Sequence, residues 1–266
     1  MTVELISVGT EILMGSIVNT NAAFLSAGCA SIGLSIYNQQ VVGDNPDRLS
    51  DAINLALGRA DTVIITGGLG PTEDDITMQT AASVMGKGLV EDAHTREHIG
   101  NVLKNSIYKD NITDNNWKQA MVPEGAIVID NRNGTAPGII MERGDKALIL
   151  IPGPPNELEV MFRKDIKPYL MARNPKAIFS RTIKLCGIGE SQAETKIIDL
   201  IDAQDNPTVA TYAKTGEVQI RITASADTED AAKELVKPVA KEIKSRFRED
   251  VYTCLLYTSD AADDKA

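Results

Sequence analysis

The chain has 266 residues, 43% of them hydrophobic, 24% charged and only 4% aromatic, which suits one large domain, or one of ordinary size with a small companion, around an aliphatic core. A formal net charge of −10 argues against direct contact with nucleic-acid backbones and anionic membranes, so an anionic ligand must be held by a local device such as backbone N–H groups or a placed cation. Cys29, Cys186 and Cys254 show no paired spacing, which argues against a disulfide framework and a zinc knuckle; with no basic leader and no apolar run near 18 residues, the expectation is a cytoplasmic protein with reduced thiols.

In chain order, residues 3–8 read as a buried strand ended by Gly9. Ala22, Leu25 and Ala30 predict a helix over 19–32, stopped by Gly33, and 34–42 a second strand. Residues 47–59 read as a helix, 62–66 as a β-branched strand running into Gly67-Gly68, and 76–85 as a helix. Strands alternating with helices imply a mainly parallel sheet covered on both faces, with ligands bound outside the carboxyl ends of its strands. Residues 89–116 are polar and read as helical, ending in an Asn-rich stretch. Residues 127–129 and 147–151 read as strands, with 131–138 a loop between them, and Pro152-Gly153-Pro154-Pro155 precedes a helix over 156–169. A boundary near 172–176 separates a first domain, 1–172, from a small α+β domain, 176–252. The latter reads as strand 179–186, helix 191–201, strands 208–212 and 217–224 joined through Lys214-Thr215-Gly216, and an amphipathic helix over 228–247. The tail 254–266 has no period and a sudden Asp/Ala bias, and is expected to be foreign to the protein and dispensable.

The strongest chemical signal is Gly67-Gly68-Leu69-Gly70-Pro71-Thr72. Glycines after a strand let the backbone approach a ligand, and successive N–H groups there can meet phosphate oxygens. Asp74 and Asp75, read as opening the next helix, make sense as holders of a divalent cation that bridges to phosphate; the plainer reading is a left-handed turn with Asp74 as N-cap. No Gly-Lys-Ser/Thr follows and the dinucleotide Gly spacing is absent. Gly9, Thr10 and Glu11, with Asn19, Thr20 and Asn21, should lie at the same sheet edge. Glu11 suits a metal ligand or general base, and Asn19 and Asn21 suit a ribose or base, or helix capping. Thr135 within 134–138 and Gly153, Pro154, Asn156 and Glu157 within 152–157 form two further loops, although Glu157 also suits a helix start. Gly187-Ile188-Gly189-Glu190-Ser191 suits weak anion binding, Lys214 a phosphate or plain solvation, and His94 and His98 solvation in preference to metal.

The run from Val8 to Asn21 resembles the opening of the CinA family (competence/damage-inducible protein A), as do Val42-Gly43-Asp44, residues 66–75, Lys118-Gln119-Ala120, 134–138, 152–157 and 187–191. The resemblance covers about residues 1–252. It implies a MogA/MoaB-like (molybdopterin-binding-like) α/β domain, a small KH-like α+β domain after it, and a homodimer. It also implies metal-dependent hydrolysis of ADP-ribose, or a similar nucleoside diphosphate sugar, to AMP and ribose 5-phosphate, with Co²⁺, Mg²⁺ or Mn²⁺ and K⁺ assisting. On that expectation Gly67, Gly68, Gly70, Pro71 and Thr72 hold a phosphate. Glu11 with Asp74 or Asp75 holds the cation that activates water, and Lys214 closes over the phosphates. Longer members carry a C-terminal nicotinamide mononucleotide deamidase domain, which this sequence is expected to lack. The alternatives are a non-catalytic molybdopterin- or nucleotide-binding protein tied to molybdenum cofactor or competence, and a partner-binding protein in DNA uptake or repair.

Overall fold

The computed structural model describes residues 1–104, 113–174 and 176–253. The chain divides into two compact units, Met1–Ala30 with Leu34–Arg173, and Ser31–Gly33 with the chain from Asn174 onward.

The first unit runs β1 (Thr2–Val8), α1 (Thr10–Leu13), α2 (Thr20–Ser31), β2 (Ser35–Val42), α3 (Pro46–Arg59), β3 (Thr62–Thr66), α4 (Thr77–Val84), β4 (Leu89–Glu91) and α5 (Ala93–Lys104). A 3₁₀ helix (Asp114–Ala120) leads to β5 (Met121–Pro123), β6 (Ile127–Ile129), β7 (Gly138–Arg143), β8 (Lys146–Ile151) and α6 (Pro155–Met161). A π-helical turn (Phe162–Ile166) then passes into α7 (Lys167–Arg173). Among the described residues six strands form one sheet in the order β2-β1-β3-β8-β7-β6. β2, β1, β3 and β8 are mutually parallel; β7 and β6 join antiparallel.

The apolar runs explain the layering. Every residue of β3 is buried, as a strand covered on both faces requires. Ile6, Val8, Ile65, Leu148 and Leu150 form one core with Leu49, Ile53 and Leu57 of α3 and Ala81 of α4. The start of α3 carries its own signal: Asn45 accepts from the Arg48 N–H at 3.0 Å, with Pro46 in the first turn.

In the first unit the structure departs from the sequence expectation at four places. The stretch 89–116 is not one helix: β4 pairs antiparallel with β5 before α5 begins, because three-residue strands are too short to show a period. Residues 105–112 of that stretch lie outside the described residues. The loop expected over 131–138 ends in a strand, β7, whose Gly138-Ile139-Ile140-Met141 are all buried and whose Ile139 lies opposite Leu150. The helix expected at 156–169 continues to Arg173 through the π-helical turn. The helix expected from residue 76 starts at Thr77, so Asp74 and Asp75 occupy a turn ahead of it, and Ile76, not Asp74, takes the N-cap place.

The second unit holds β9 (Ala177–Leu185), α8 (Glu190–Lys196), α9 (Ile198–Asp202), β10 (Thr208–Lys214), β11 (Glu217–Ala226), α10 (Glu229–Phe247) and β12 (Val251–Thr253). The sheet is antiparallel in the order β10-β11-β9-β12. Ile183, Ile220 and Ile222 pack on Val236, Ala240 and Ile243 of α10. The single helix expected at 191–201 is broken at Ile197 into α8 and α9. The expectation for 254–266 falls outside the described residues. Among the described residues no helix is long and apolar enough to cross a membrane.

Candidate binding pocket

Because β1, β3 and β8 are parallel, the segments that follow them leave the same edge of the sheet; Ser7 pairs with Thr66, and Thr66 with Ile151. Gly9 follows β1, Gly67 follows β3 and Pro152 follows β8. With Thr135 and Ala136, from the loop before β7, these segments enclose a cavity of about 580 Å³.

Gly67 and Gly68 are demanded by the backbone. Their φ angles are 92° and 64°. A Cβ on Gly67 would lie 2.3 Å from the Val8 carbonyl oxygen, and one on Gly68 would lie 2.2 Å from Thr77 Oγ1. No other residue type fits either place without strain. The turn is tied at both ends: the Gly67 N–H donates to the Ile151 carbonyl at 3.2 Å, and the Thr77 N–H to the Gly68 carbonyl at 3.1 Å. The N–H groups of Gly68, Leu69 and Gly70 donate to none of the described residues.

The 3₁₀ helix fastens this loop. Lys118 Nζ donates to the Thr72 carbonyl at 2.5 Å, and Gln119 Nε2 to the Leu69 carbonyl at 2.9 Å. Asp75 accepts from the Thr72 N–H at 2.9 Å and from Thr72 Oγ1 at 2.6 Å. A Cβ on Gly70 would fall 2.4 Å from Asp75 Oδ2, so this glycine makes room for the turn.

Of the residues singled out from sequence, Gly9, Glu11, Asn21, Gly67, Gly68, Gly70, Asp74, Asp75, Thr135, Gly153, Pro154 and Glu157 line the cavity. Thr10, Asn19, Pro71, Thr72 and Asn156 do not. Asn19 instead caps α2, accepting from the Ala22 N–H at 3.2 Å while its Nδ2 donates to Ser7 Oγ at 2.9 Å. Thr10 donates to Asp44 Oδ2 from its N–H at 3.0 Å and its hydroxyl at 2.7 Å. Asn21 Nδ2 donates to the Gly153 carbonyl at 2.7 Å, joining α2 to the loop after β8. Lys214 ends β10 in the second unit, opposite Glu217. His94 pairs with Asp130 at 2.9 Å, which raises its pKa, and His98 donates to the Gly134 carbonyl at 3.2 Å.

Asp44 and Gln119 also line the cavity and were not singled out as site residues. Both stand in stretches that carry the family resemblance, and that was the available signal.

The lining includes five carboxyl side chains, Glu11, Asp44, Asp74, Asp75 and Glu157, and neither Lys nor Arg. Burial pushes the Glu157 pKa up; the hydrogen bond from Asn131 opposes this and does not cancel it. Among the described residues no group of three or more His, Cys, Asp or Glu is gathered, and Asp75 is engaged by Thr72. A divalent ion held by one or two carboxylates together with a ligand phosphate would draw on Glu11 and Asp74.

The fold and this glycine-lined pocket place the protein in a known class. Residues 4–172 match the family described as a probable molybdopterin binding domain, whose MogA/MoaB-like α/β architecture is the one expected, and residues 180–253 match the damage-inducible protein CinA KH domain. The crystal structure of CinA from Thermoplasma acidophilum, described as of unknown function, is 34% identical with a TM-score of 0.57, covering 65% of this chain and 96% of that one. The chain belongs to the CinA family.

Putative competence-damage inducible proteins are similar over 95% of this chain: that of Clostridium beijerinckii is 47% identical and that of Clostridioides difficile 49%. The chain spans 61% and 60% of their respective lengths.

These findings overturn the expectation of ADP-ribose hydrolysis. The matched domain is described as a binding domain, the relatives are named only as putative competence-damage inducible proteins, and the Thermoplasma structure carries no assigned activity.

Proposed function

We propose that the first unit binds a small phosphate-bearing ligand of the pterin type. The observation that carries this reading is the Gly67–Gly70 turn. Its Gly68, Leu69 and Gly70 line the cavity and carry backbone N–H groups that donate to none of the described residues, at the carboxyl end of a central parallel strand. The matched description, a probable molybdopterin binding domain, supplies the ligand class.

The cavity, about 580 Å³, is of ordinary size for a small-molecule site. Its charge narrows the ligand further. Five carboxyl groups oppose a bare anion, so inorganic phosphate alone is a poor match. A ligand that combines a phosphate with a ring rich in N–H donors suits both parts of the cavity. The phosphate meets the backbone donors, and the ring donors meet the carboxylates.

Calorimetric titration of the full chain with a phosphorylated pterin and its dephosphorylated counterpart tests this. The phosphorylated form is expected to bind at least about tenfold tighter, the worth of charge-assisted hydrogen bonds to a phosphate. Equal affinities, or no binding of either, would refute the reading.

A further inference from the structure

We propose that Glu157 determines which ring the pocket accepts, by presenting its carboxylate to an amidine-type edge, a ring N–H beside an exocyclic amine, as in a 2-amino-4-oxo pyrimidine ring. This rests on the reading of the cavity as a phosphorylated-pterin site and names the part of the ligand that side chains recognise.

Glu157 sits at the start of α6, and its carboxyl is held in place. Asn131 Nδ2 donates to Glu157 Oε2 at 2.6 Å. Asn131 is itself 1% exposed and fixed: its Nδ2 also donates to the Ala136 carbonyl at 2.9 Å, and its Oδ1 accepts from the Asn133 N–H at 3.0 Å. Opposite lies Gly134, where a Cβ would fall 2.5 Å from Glu157 Oε2 and 2.7 Å from Oε1. The missing side chain is what leaves room for the carboxyl.

Glu157 Oε1 accepts from none of the described residues, and no Lys or Arg lines the cavity. The result is a positioned, partly desolvated acceptor with one oxygen free and no cation beside it. Burial of such a group is unfavourable unless a donor arrives.

The lining side chains are rich in acceptors, its five carboxyl groups, while the donors of its glycine turn that meet none of the described residues are backbone N–H groups.

An amidine-type edge offers two parallel N–H donors to the two carboxylate oxygens, the geometry that makes guanidinium–carboxylate pairs strong. A ring that places a carbonyl or an unprotonated ring nitrogen at that edge sets a lone pair against the carboxylate. Adenine-type and dioxo rings are of this second kind.

The test titrates the full chain with phosphorylated pterin and with phosphorylated lumazine, in which an oxo group replaces the 2-amino group. Wild type, Glu157→Gln and Gly134→Ala are compared. Gly134→Ala keeps the charge and displaces the carboxyl, so it serves if Glu157→Gln folds poorly. Wild type is expected to prefer the pterin by about tenfold or more, as for a buried hydrogen-bonding site facing the wrong partner. Both variants should reduce that preference to about threefold or less by weakening the pterin, with lumazine bound no more weakly than by wild type. A wild type that does not discriminate, variants that weaken both ligands alike, or a wild type that binds neither ring would overturn the proposal. The phosphorylated–dephosphorylated comparison reports on the phosphate site separately, so the two readings fail independently.

Discussion

Gly67 illustrates how tightly a single position is determined at the mouth of the pocket. Its positive φ and the Val8 carbonyl 2.3 Å from any Cβ act together. Gly67→Ala is expected to lower stability by about 2 kcal/mol or more, the cost of a non-glycine residue in that region plus a backbone clash, measured by urea unfolding. A loss below about 0.5 kcal/mol would show that the turn can relax elsewhere. Glu157 makes the opposite prediction. Its folded pKa is raised, chiefly by burial, so its stability contribution is fully present below the ordinary glutamate range and is lost as pH rises through the folded value. Glu157→Gln keeps the acceptor for Asn131 and removes the charge. It should melt above wild type at about pH 7, and the gap should close as the pH falls toward about 4. A wild type as stable as the variant at neutral pH would mean that the carboxylate carries no desolvation cost.

At the level of elements, the legible parts were those with a long, pure signal. The β-branched run Thr62–Thr66 was read to the residue, because five buried positions in a row announce a strand covered on both faces. The strands β4 and β5 were missed because three residues cannot display a period, and β7 because Gly138, read as the end of a loop, opens it. In the candidate site, the glycines were visible because only backbone geometry explains them in such number. Asn19 and Asn21 were not separable from sequence: two residues apart, one caps α2 and the other reaches the Gly153 carbonyl. Gln119 and Asp44 lay beyond a spacing argument, since they reach the cavity only through the 3₁₀ helix and the end of β2. Lys118 shows how the 3₁₀ helix supports the loop. Lys118→Met should leave the cavity lining intact and yet loosen the turn at Thr72, read as faster hydrogen exchange of the Thr72 amide, which is bonded to Asp75; unchanged exchange would assign the Lys118 bond no role.

At the scale of the whole molecule, two separate cores divide the work. The residues that line the 580 Å³ cavity come from the first unit. A fragment of residues 1–174 is therefore expected to bind phosphorylated pterin within about threefold of the full chain, a difference below about 0.7 kcal/mol. A fragment that folds and loses binding would place an essential group in the second unit. Net charge sets the other molecular constraint. On the proposed reading, a chain of −10 receives the anion with backbone dipoles and leaves the acidic side chains of the lining to read donors on the ring.

The central claim, that the Gly67–Gly70 turn receives the ligand's phosphate, is tested most directly by following the backbone amide resonances of Gly68, Leu69 and Gly70 during titration. Phosphorylated pterin should move all three downfield as they acquire a charged acceptor, and the dephosphorylated ring should leave them in place. Saturable binding of the phosphorylated ligand with those three resonances unmoved would contradict the account.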